Sequence, residues 1–201
     1  MKTGDRYEGQ WDYKTNSIHG KGIKKFKNGA IYEGYWQRNR ANGKGRMINP
    51  NGDVYEGQFK EDKAEGYGEF KQSDGSKYEG MWANDKQNGK GKETWADGAT
   101  FEGSFKQGLK HGKGRFLWND KSSYYGEVKN NMIHGYGVYK WSDGRQYEGS
   151  WSNNQLHGKG KHTWPDGRVY EGWYSDNERN GRGVFIWPRG HKYDGYWRDG
   201  S

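Results

Sequence analysis

Four histidines, His19, His111, His134 and His157, each stand immediately before a Gly-x-Gly, which raises the question of a metal array. They recur at one point of an internal repeat, and copies two strands apart would lie about 10 Å from each other. Zinc is held on bonds of about 2 Å, so neighbouring copies cannot share an ion. Asn42, Asn88, Asn180 and Glu65 fill the same slot elsewhere, and the position reads as a polar residue beside a turn. His162 and His191 have no ligand-type neighbours at a matching spacing. The glutamates that follow each opening aromatic recur at the same interval, which suits a structural charge ladder better than a catalytic carboxylate pair. The Gly-x-Gly pairs build no phosphate loop, because no helix is expected after any of them. The residues therefore assign no catalytic group, no metal and no cofactor, and the expectation is a chain that is not an enzyme.

What these residues share is a period. Tyr-Glu-Gly or a close variant starts at Tyr7, Tyr32, Tyr55, Tyr78, Phe101, Tyr124, Tyr147, Tyr170 and Tyr193, at steps of 23 residues after a first step of 25. A fixed period of this size marks a repeat architecture. The 201 residues hold only fourteen Ile, Leu or Val against 35 Gly, 11 Trp and 16 Tyr. Burial must then come from rings lying on glycine.

Counting the opening aromatic as position 0, position 7 is always Asn, Asp or Gly from the second repeat on, as in Arg38-Asn39, Asn84-Asp85 and Gln107-Gly108. These residues tolerate positive φ and place a two-residue hairpin turn at positions 6 and 7. A simple ladder from that turn sets position 0 opposite 13, 1 opposite 12 and 2 opposite 11. It pairs Glu33 with Lys44, Glu79 with Lys90, Glu102 with Lys113, Glu148 with Lys159 and Glu171 with Arg182, leaving Glu56 against Tyr67 and Tyr125 against Tyr136. Positions 0, 2 and 4 share one face with 11, 13, 15 and 17, and each opening Tyr covers the second Gly of its own hairpin. Pairs such as Asn51-Gly52 and Asp166-Gly167, with Pro50, Pro165 and Pro188 just before such pairs, mark three-residue loops to the next hairpin. The fold class is all-β: a single-layer antiparallel meander of about seventeen strands, a curved trough with aromatics inside and the charge ladder outside.

The Tyr-Glu-Gly-x-Trp…His-Gly-x-Gly pattern resembles the MORN (membrane occupation and recognition nexus) repeat over nearly all of residues 1–201: eight full units and a half unit from Tyr193. The resemblance implies a β-hairpin solenoid of the kind found in cytoskeletal, ciliary and membrane-junction scaffolds, whose trough holds a peptide, helix or neighbouring subunit. It also implies contact with anionic phospholipids in some members. The sixth unit departs from the pattern, with Lys121 for the turn glycine, Tyr125 for Glu and Val128 for Trp. The first has Lys24 where later units have rings, and a long loop from Asp12 to Ile18.

Two surfaces are candidates for partners. The first is the aromatic trough: Trp82, Trp95, Phe116, Trp118 and Tyr139, then Trp141, Trp151, Trp164, Phe185 and Trp187. One layer cannot bury so much ring surface, and exposed apolar patches mark binding sites. The second is basic, Lys24, Lys25 and Lys27 early and Arg179, Arg182, Arg189, Lys192 and Arg198 late, and would suit an anionic membrane surface. The net charge of +8 is interleaved with acids, which disfavours nucleic acid. Met1–Asp5 and the half unit supply no cap, so end-to-end association or docking in a larger complex is expected. No cysteine, no apolar run of spanning length and no signal-peptide core set the expectation of a cytoplasmic chain, cytoskeletal, ciliary or at the membrane periphery.

Overall fold

The computed structural model describes residues 4–201, so the first three residues of the expected uncapped start lie outside it. Seventeen antiparallel strands in one open sheet, with no helix among the described residues, match the expected meander of hairpins. The chain divides into two compact units, residues 1–96 with 105–108 and residues 97–104 with 109–201. The first holds β1 (Arg6–Asp12), β2 (Ser17–Lys25), β3 (Ile31–Gln37), β4 (Arg40–Ile48), β5 (Val54–Lys60), β6 (Lys63–Lys71), β7 (Lys77–Ala83) and β8 (Lys86–Thr94). After β9 (Thr100–Lys106), which both units share, the second holds β10 (Leu109–Leu117), β11 (Ser123–Lys129), β12 (Met132–Lys140), β13 (Gln146–Ser152), β14 (Gln155–Thr163), β15 (Val169–Ser175), β16 (Glu178–Ile186) and β17 (Lys192–Trp197). Within each unit every strand pairs with its neighbours in sequence.

The hairpin turns fall at positions 6 and 7, with both residues at positive φ as in Arg38 (48°) and Asn39 (66°) or Asn153 (48°) and Asn154 (68°). This is the type I′ geometry that matches strand twist. The linking loops also close as expected: Gly52 N–H donates to Asn49 O at 2.9 Å, Asn49 N–H to Asp53 O at 2.8 Å, and Met47 then faces Tyr55. Lys121, standing in for a loop glycine, takes the same left-handed conformation at φ 73°.

The simple ladder fails three residues from the turn. Next to it the expected register holds, with Trp36 opposite Ala41 and Gln37 opposite Arg40. Beyond a bulge Gly34 faces Gly45, Glu33 faces Arg46 and Tyr32 faces Met47, a shift of two residues. Glu79 therefore faces Lys92 and not Lys90, and Glu148 faces Lys161 and not Lys159. Glu171 lies between Lys161 and Val184 rather than against Arg182. Glu56 lies between Arg46 and Glu69, and Tyr125 between Arg115 and Val138, so neither meets a tyrosine directly opposite. Gly103 lies against Gly114, the same shifted pairing in the hairpin of Glu102. The cause is the first glycine of each Gly-x-Gly. Gly43, Gly66, Gly135 and Gly158 have φ of 81°, 70°, 75° and 84°, a left-handed bulge that inserts extra residues on the return strand.

The second glycine has a different task. A Cβ on Gly45, Gly137 or Gly160 would meet the ring of Tyr32, Tyr124 or Tyr147, so each opening tyrosine does lie over the second glycine of its hairpin, diagonally across the bulge. Position 3 has no partner in its own hairpin's register, and the tyrosine hydroxyl bonds its carbonyl. Tyr32 donates to Tyr35 O at 2.9 Å, Tyr124 to Glu127 O at 2.7 Å and Tyr147 to Ser150 O at 2.9 Å. Tyr32, Tyr124, Tyr147 and Tyr170 are fully buried.

Successive hairpins are also joined at their tips. The Asp62 N–H donates to Ala41 O at 3.0 Å while its carboxylate accepts the Ala41 N–H at 2.7 Å. Asn154 grips Ile133, and Asn177 grips Leu156, in the same two-point way. The polar slot before the Gly-x-Gly adds a third contact, because Asn42, Glu65, Asn88 and His134 accept the N–H of position 6 in the next hairpin. That shared acceptor role accounts for the mixture of His, Asn and Glu in the slot.

Two substitutions separate the ring's functions. Tyr147→Phe, which removes one hydrogen bond, should lower stability by about 1 kcal/mol. Gly160→Ala, which drives a methyl into the ring, should cost about 3 kcal/mol; urea unfolding giving the reverse order would contradict the packing described. Gly108 donates its N–H to Gln87 O but has no side chain for the second contact. Gly108→Asn should therefore raise stability by about 0.5–1 kcal/mol in the same assay.

Candidate partner-binding row

The expected trough residues fall into two sets. Position 4 belongs to an interior zipper in which each opening Tyr meets the ring of its own hairpin and that of the next, near-perpendicular. In the first unit Tyr55 touches Phe59 at 5.0 Å and Trp82 at 5.2 Å. In the second, Tyr147 touches Trp151 at 5.1 Å and Tyr174 at 5.3 Å. The indoles of this set donate to the preceding repeat's second-glycine carbonyl, Trp82 to Gly68 at 3.1 Å and Trp151 to Gly137 at 3.3 Å. Trp151 is thus buried and Trp82 partly buried against the core, each with its polar atom already engaged. Val128, buried in the tryptophan slot of the sixth repeat, interrupts the series.

Positions 15 and 17 form the other set, and in the second unit every one of them is a ring. Phe116 stacks on Trp118 (5.2 Å, 8°), Trp118 meets Tyr139 (5.2 Å), and Tyr139 meets Trp141 (4.6 Å). Trp141 stacks on His162 (5.1 Å, 5°) and His162 on Trp164 (4.2 Å, 10°). Phe185 continues the row, 5.7 Å from Trp164 and 4.5 Å from Trp187. Phe116 and Phe185 are buried, Trp118, Tyr139, Trp141 and Trp164 half-buried, and Trp187 is 41% exposed. The four tryptophans sit at the mouths of the linking loops, where their own backbone closes the turn, as in Trp164 N–H to Arg168 O at 3.0 Å. Arg145 lies over Trp141 and Arg168 over Trp164, 5.2 and 5.4 Å from the ring centres, each held by its loop aspartate at 2.7 Å.

The same positions in the first unit are Lys24, Phe26, Met47, Asn49, Phe70, Gln72, Glu93 and Trp95, which gives no comparable run of rings. Trp95 is half-buried there, apart from the row of the second unit.

His162 was not among the expected trough residues, because its neighbours in sequence gave no reason to single it out. Its place at position 15, where Phe70, Phe116, Tyr139 and Phe185 stand in other repeats, was the available signal. It is 93% buried between two indoles, and its Nε2 is the one fully buried side-chain polar atom without a hydrogen-bond partner among the described residues.

The late basic residues do not make one patch. Arg179 turns onto the aromatic face, stacked 4.2 Å over Trp197 and bonded to Gly200 O at 2.6 Å. Arg182 is on the opposite face, 3.6 Å from Asp194. Arg189, Lys192 and Arg198 are exposed. Near the start, Lys24 pairs with Asp5 at 3.1 Å. Hollows open on the charged face too, about 690 Å³ beside Glu33, Arg46 and Tyr67 and about 600 Å³ beside Glu148, Lys161 and Trp173, so the charged side is not simply an outer wall.

Tandem bulged hairpins, each closed by a tyrosine over glycine, define a β-hairpin repeat protein. The MORN repeat matches eight consecutive segments, residues 7–31, 32–54, 55–77, 78–100, 101–123, 124–144, 147–167 and 170–192, and the chain belongs to the MORN repeat family. No curated protein matches it. Among solved structures it is similar to the microcephaly protein CPAP G-box domain, at 11% identity and a TM-score of 0.48, covering 89% of this chain and 88% of that one. It is also similar to the Drosophila melanogaster SAS-4 (dCPAP) TCP domain in complex with a proline-rich motif of Ana2, at 13% identity and a TM-score of 0.47, covering 78% and 85%. The Danio rerio CPAP TCP10 domain in complex with a STIL peptide matches at 14% identity and a TM-score of 0.33, covering 96% and 100%. At these values the similarity says nothing about what this chain binds.

Burial pulls the His162 imidazole from an ordinary 6.5 down to about 4, with the Arg145 guanidinium adding to the shift, Asp143 opposing it and Arg179 adding slightly. Between those values the unfolded chain takes up a proton that the folded chain refuses. The stability this group contributes is complete above pH 6.5 and is lost as pH falls towards 4. His162→Phe keeps a ring in the stack and removes the titration. Its stability loss between pH 7 and pH 4.5 should be smaller than that of the wild type by about 2 kcal/mol. Parallel urea-midpoint profiles would contradict the burial of a neutral imidazole.

Proposed function

We propose that this chain is a non-catalytic interaction scaffold that holds an extended peptide of a partner protein along the ring row of its second unit. The observation that carries this reading is the unbroken sequence of eight touching rings from Phe116 to Trp187. The polar atoms support it. The zipper indoles of Trp36, Trp82, Trp151 and Trp197 donate their N–H groups to glycine carbonyls, whereas Trp118, Trp141, Trp164 and Trp187 make no such bond among the described residues.

Spacing favours an extended occupant over a helix. Equivalent tryptophans two strands apart recur at about 9.6 Å. Three residues of polyproline II advance about 9.3 Å, and seven of an α-helix about 10.5 Å. Across four tryptophans the extended peptide falls about 1 Å short, and the helix overshoots by about 3 Å. A polyproline-type strand also leaves its carbonyls free to accept indole N–H groups.

The test is selection of binders by the intact chain from a random-peptide display library, followed by affinity measurements on variants. Trp118→Ala/Trp141→Ala and the more exposed Trp187→Ala should each weaken the selected peptides at least tenfold, about 1.4 kcal/mol or more. Lys161→Glu/Arg182→Glu on the opposite face should leave binding unchanged. Selected peptides that bind the folded tryptophan variants as tightly as the wild type would remove the proposal.

A further inference from the structure

The first unit carries a separate feature on its aromatic face, a groove of about 500 Å³ at the hairpin tips. Its floor is Tyr55, Phe59 and Ala64, all buried, and its walls include Phe70 and Trp82. Asp62 and Asp85 stand at its mouth.

The groove results from two residue choices at repeat-equivalent positions. Position 9 is Ala41, Ala64 and Gln87 in the first unit, with the buried Ile18 in the equivalent place of the first repeat, and Lys110, Ile133, Leu156 and Arg179 in the second. At the groove it is the small Ala64, where Ile133 and Leu156 are larger buried side chains. Position 7 is Asp62 and Asp85 at the groove, but Asn39 one repeat earlier and Asn131, Asn154 and Asn177 in the second unit. The clamp does not require the charge: Asn154 holds the Ile133 N–H at 2.8 Å as Asp85 holds the Ala64 N–H at 2.7 Å. Each aspartate accepts the clamp bond at Oδ1, and Oδ2 meets no donor in either case among the described residues. Only one cation, Lys86, lines the mouth against the two carboxylates. A local excess of negative charge over an aromatic floor stands out in a chain of net charge +8.

We propose that this groove is a binding site for the lysine side chain of a basic partner peptide. The methylene stem would lie along Phe70 and Trp82, and the ammonium would reach an aspartate at the mouth. Aromatic walls and a carboxylate are the chemistry that recognises an alkylammonium group, through ring-quadrupole attraction and a charge-assisted hydrogen bond. The site is distinct from the ring row of the second unit and does not depend on that row binding anything.

The probe is a Gly/Ser-flanked peptide with a single lysine, titrated into the intact chain and followed by amide NMR shifts, alongside norleucine and acetyl-lysine versions. The lysine peptide should give saturable shifts at Asp62, Ala64, Asp85 and Gln87, with both uncharged peptides at least fivefold weaker. Asp62→Asn/Asp85→Asn keeps the clamp and should reduce the lysine peptide to the level of norleucine. Ala64→Leu should abolish the shifts by filling the groove. Equal binding of lysine and norleucine peptides, or an Asn variant that binds lysine like the wild type, would overturn the proposal. So would the absence of saturable shifts up to about 10 mM peptide.

Discussion

The structure depends on a tyrosine ring lying on a glycine across a bulged hairpin. A chain with fourteen Ile, Leu and Val cannot build a two-layer core, so the burial has to be local and repeated. The second glycine of each Gly-x-Gly gives the ring room, and the first gives the backbone the left-handed residue that moves the strand into place beneath it. The tyrosine hydroxyl then satisfies the carbonyl at position 3, which the bulge leaves without a partner in its own hairpin. One side chain covers a glycine, contributes to the ring zipper and satisfies a backbone acceptor, which is why position 0 is so uniform. The clamp at the hairpin tips carries this arrangement from one repeat to the next, as expected for a solenoid whose stability is summed over nearest neighbours.

With the frame fixed by positions 0, 2, 7, 11 and 13, other positions are released to differ. The two units use that freedom differently. The second fills positions 15 and 17 with touching rings, and the first places Lys, Met, Asn, Gln and Glu among them. The first in turn has the small Ala41 and Ala64 among its position-9 residues, where the second has the larger Ile133 and Leu156. One scaffold thus presents an unbroken ring row in one unit and an acid-lipped groove in the other.

Much of this was legible in the sequence. The period, the type I′ turns, the linking loops, the number of strands and the ring over the second glycine all follow from residues with narrow backbone preferences. The register did not follow, because both glycines of Gly-x-Gly look alike in sequence. Only the φ of Gly43 and its equivalents separates the bulge residue from the space-making one. The charge pairs inferred from the simple ladder failed for the same reason: position 14 is a base in several repeats as position 12 is, so a two-residue slip still finds one for Glu33, which meets Arg46 instead of Lys44, but not for Glu171, which meets Val184. The site was partly legible. Trp118, Trp141, Trp164 and Trp187 could be placed on the ring face, but alternation alone could not distinguish them from Trp82 and Trp151. That distinction lies in the indole N–H, which those two donate to a glycine carbonyl. His162 was missed because a lone histidine at a ring position carries no spacing signal.

The most direct test of the central packing is the proton NMR spectrum of the glycines. If each tyrosine lies face-on over the second glycine, the Hα protons of Gly45, Gly68, Gly137, Gly160 and Gly183 will be shifted strongly upfield by the ring current. Those of the first glycines, Gly43, Gly66, Gly135, Gly158 and Gly181, will stay near ordinary positions. Two glycine sets with the same shifts would show that the rings do not lie where the whole arrangement requires them.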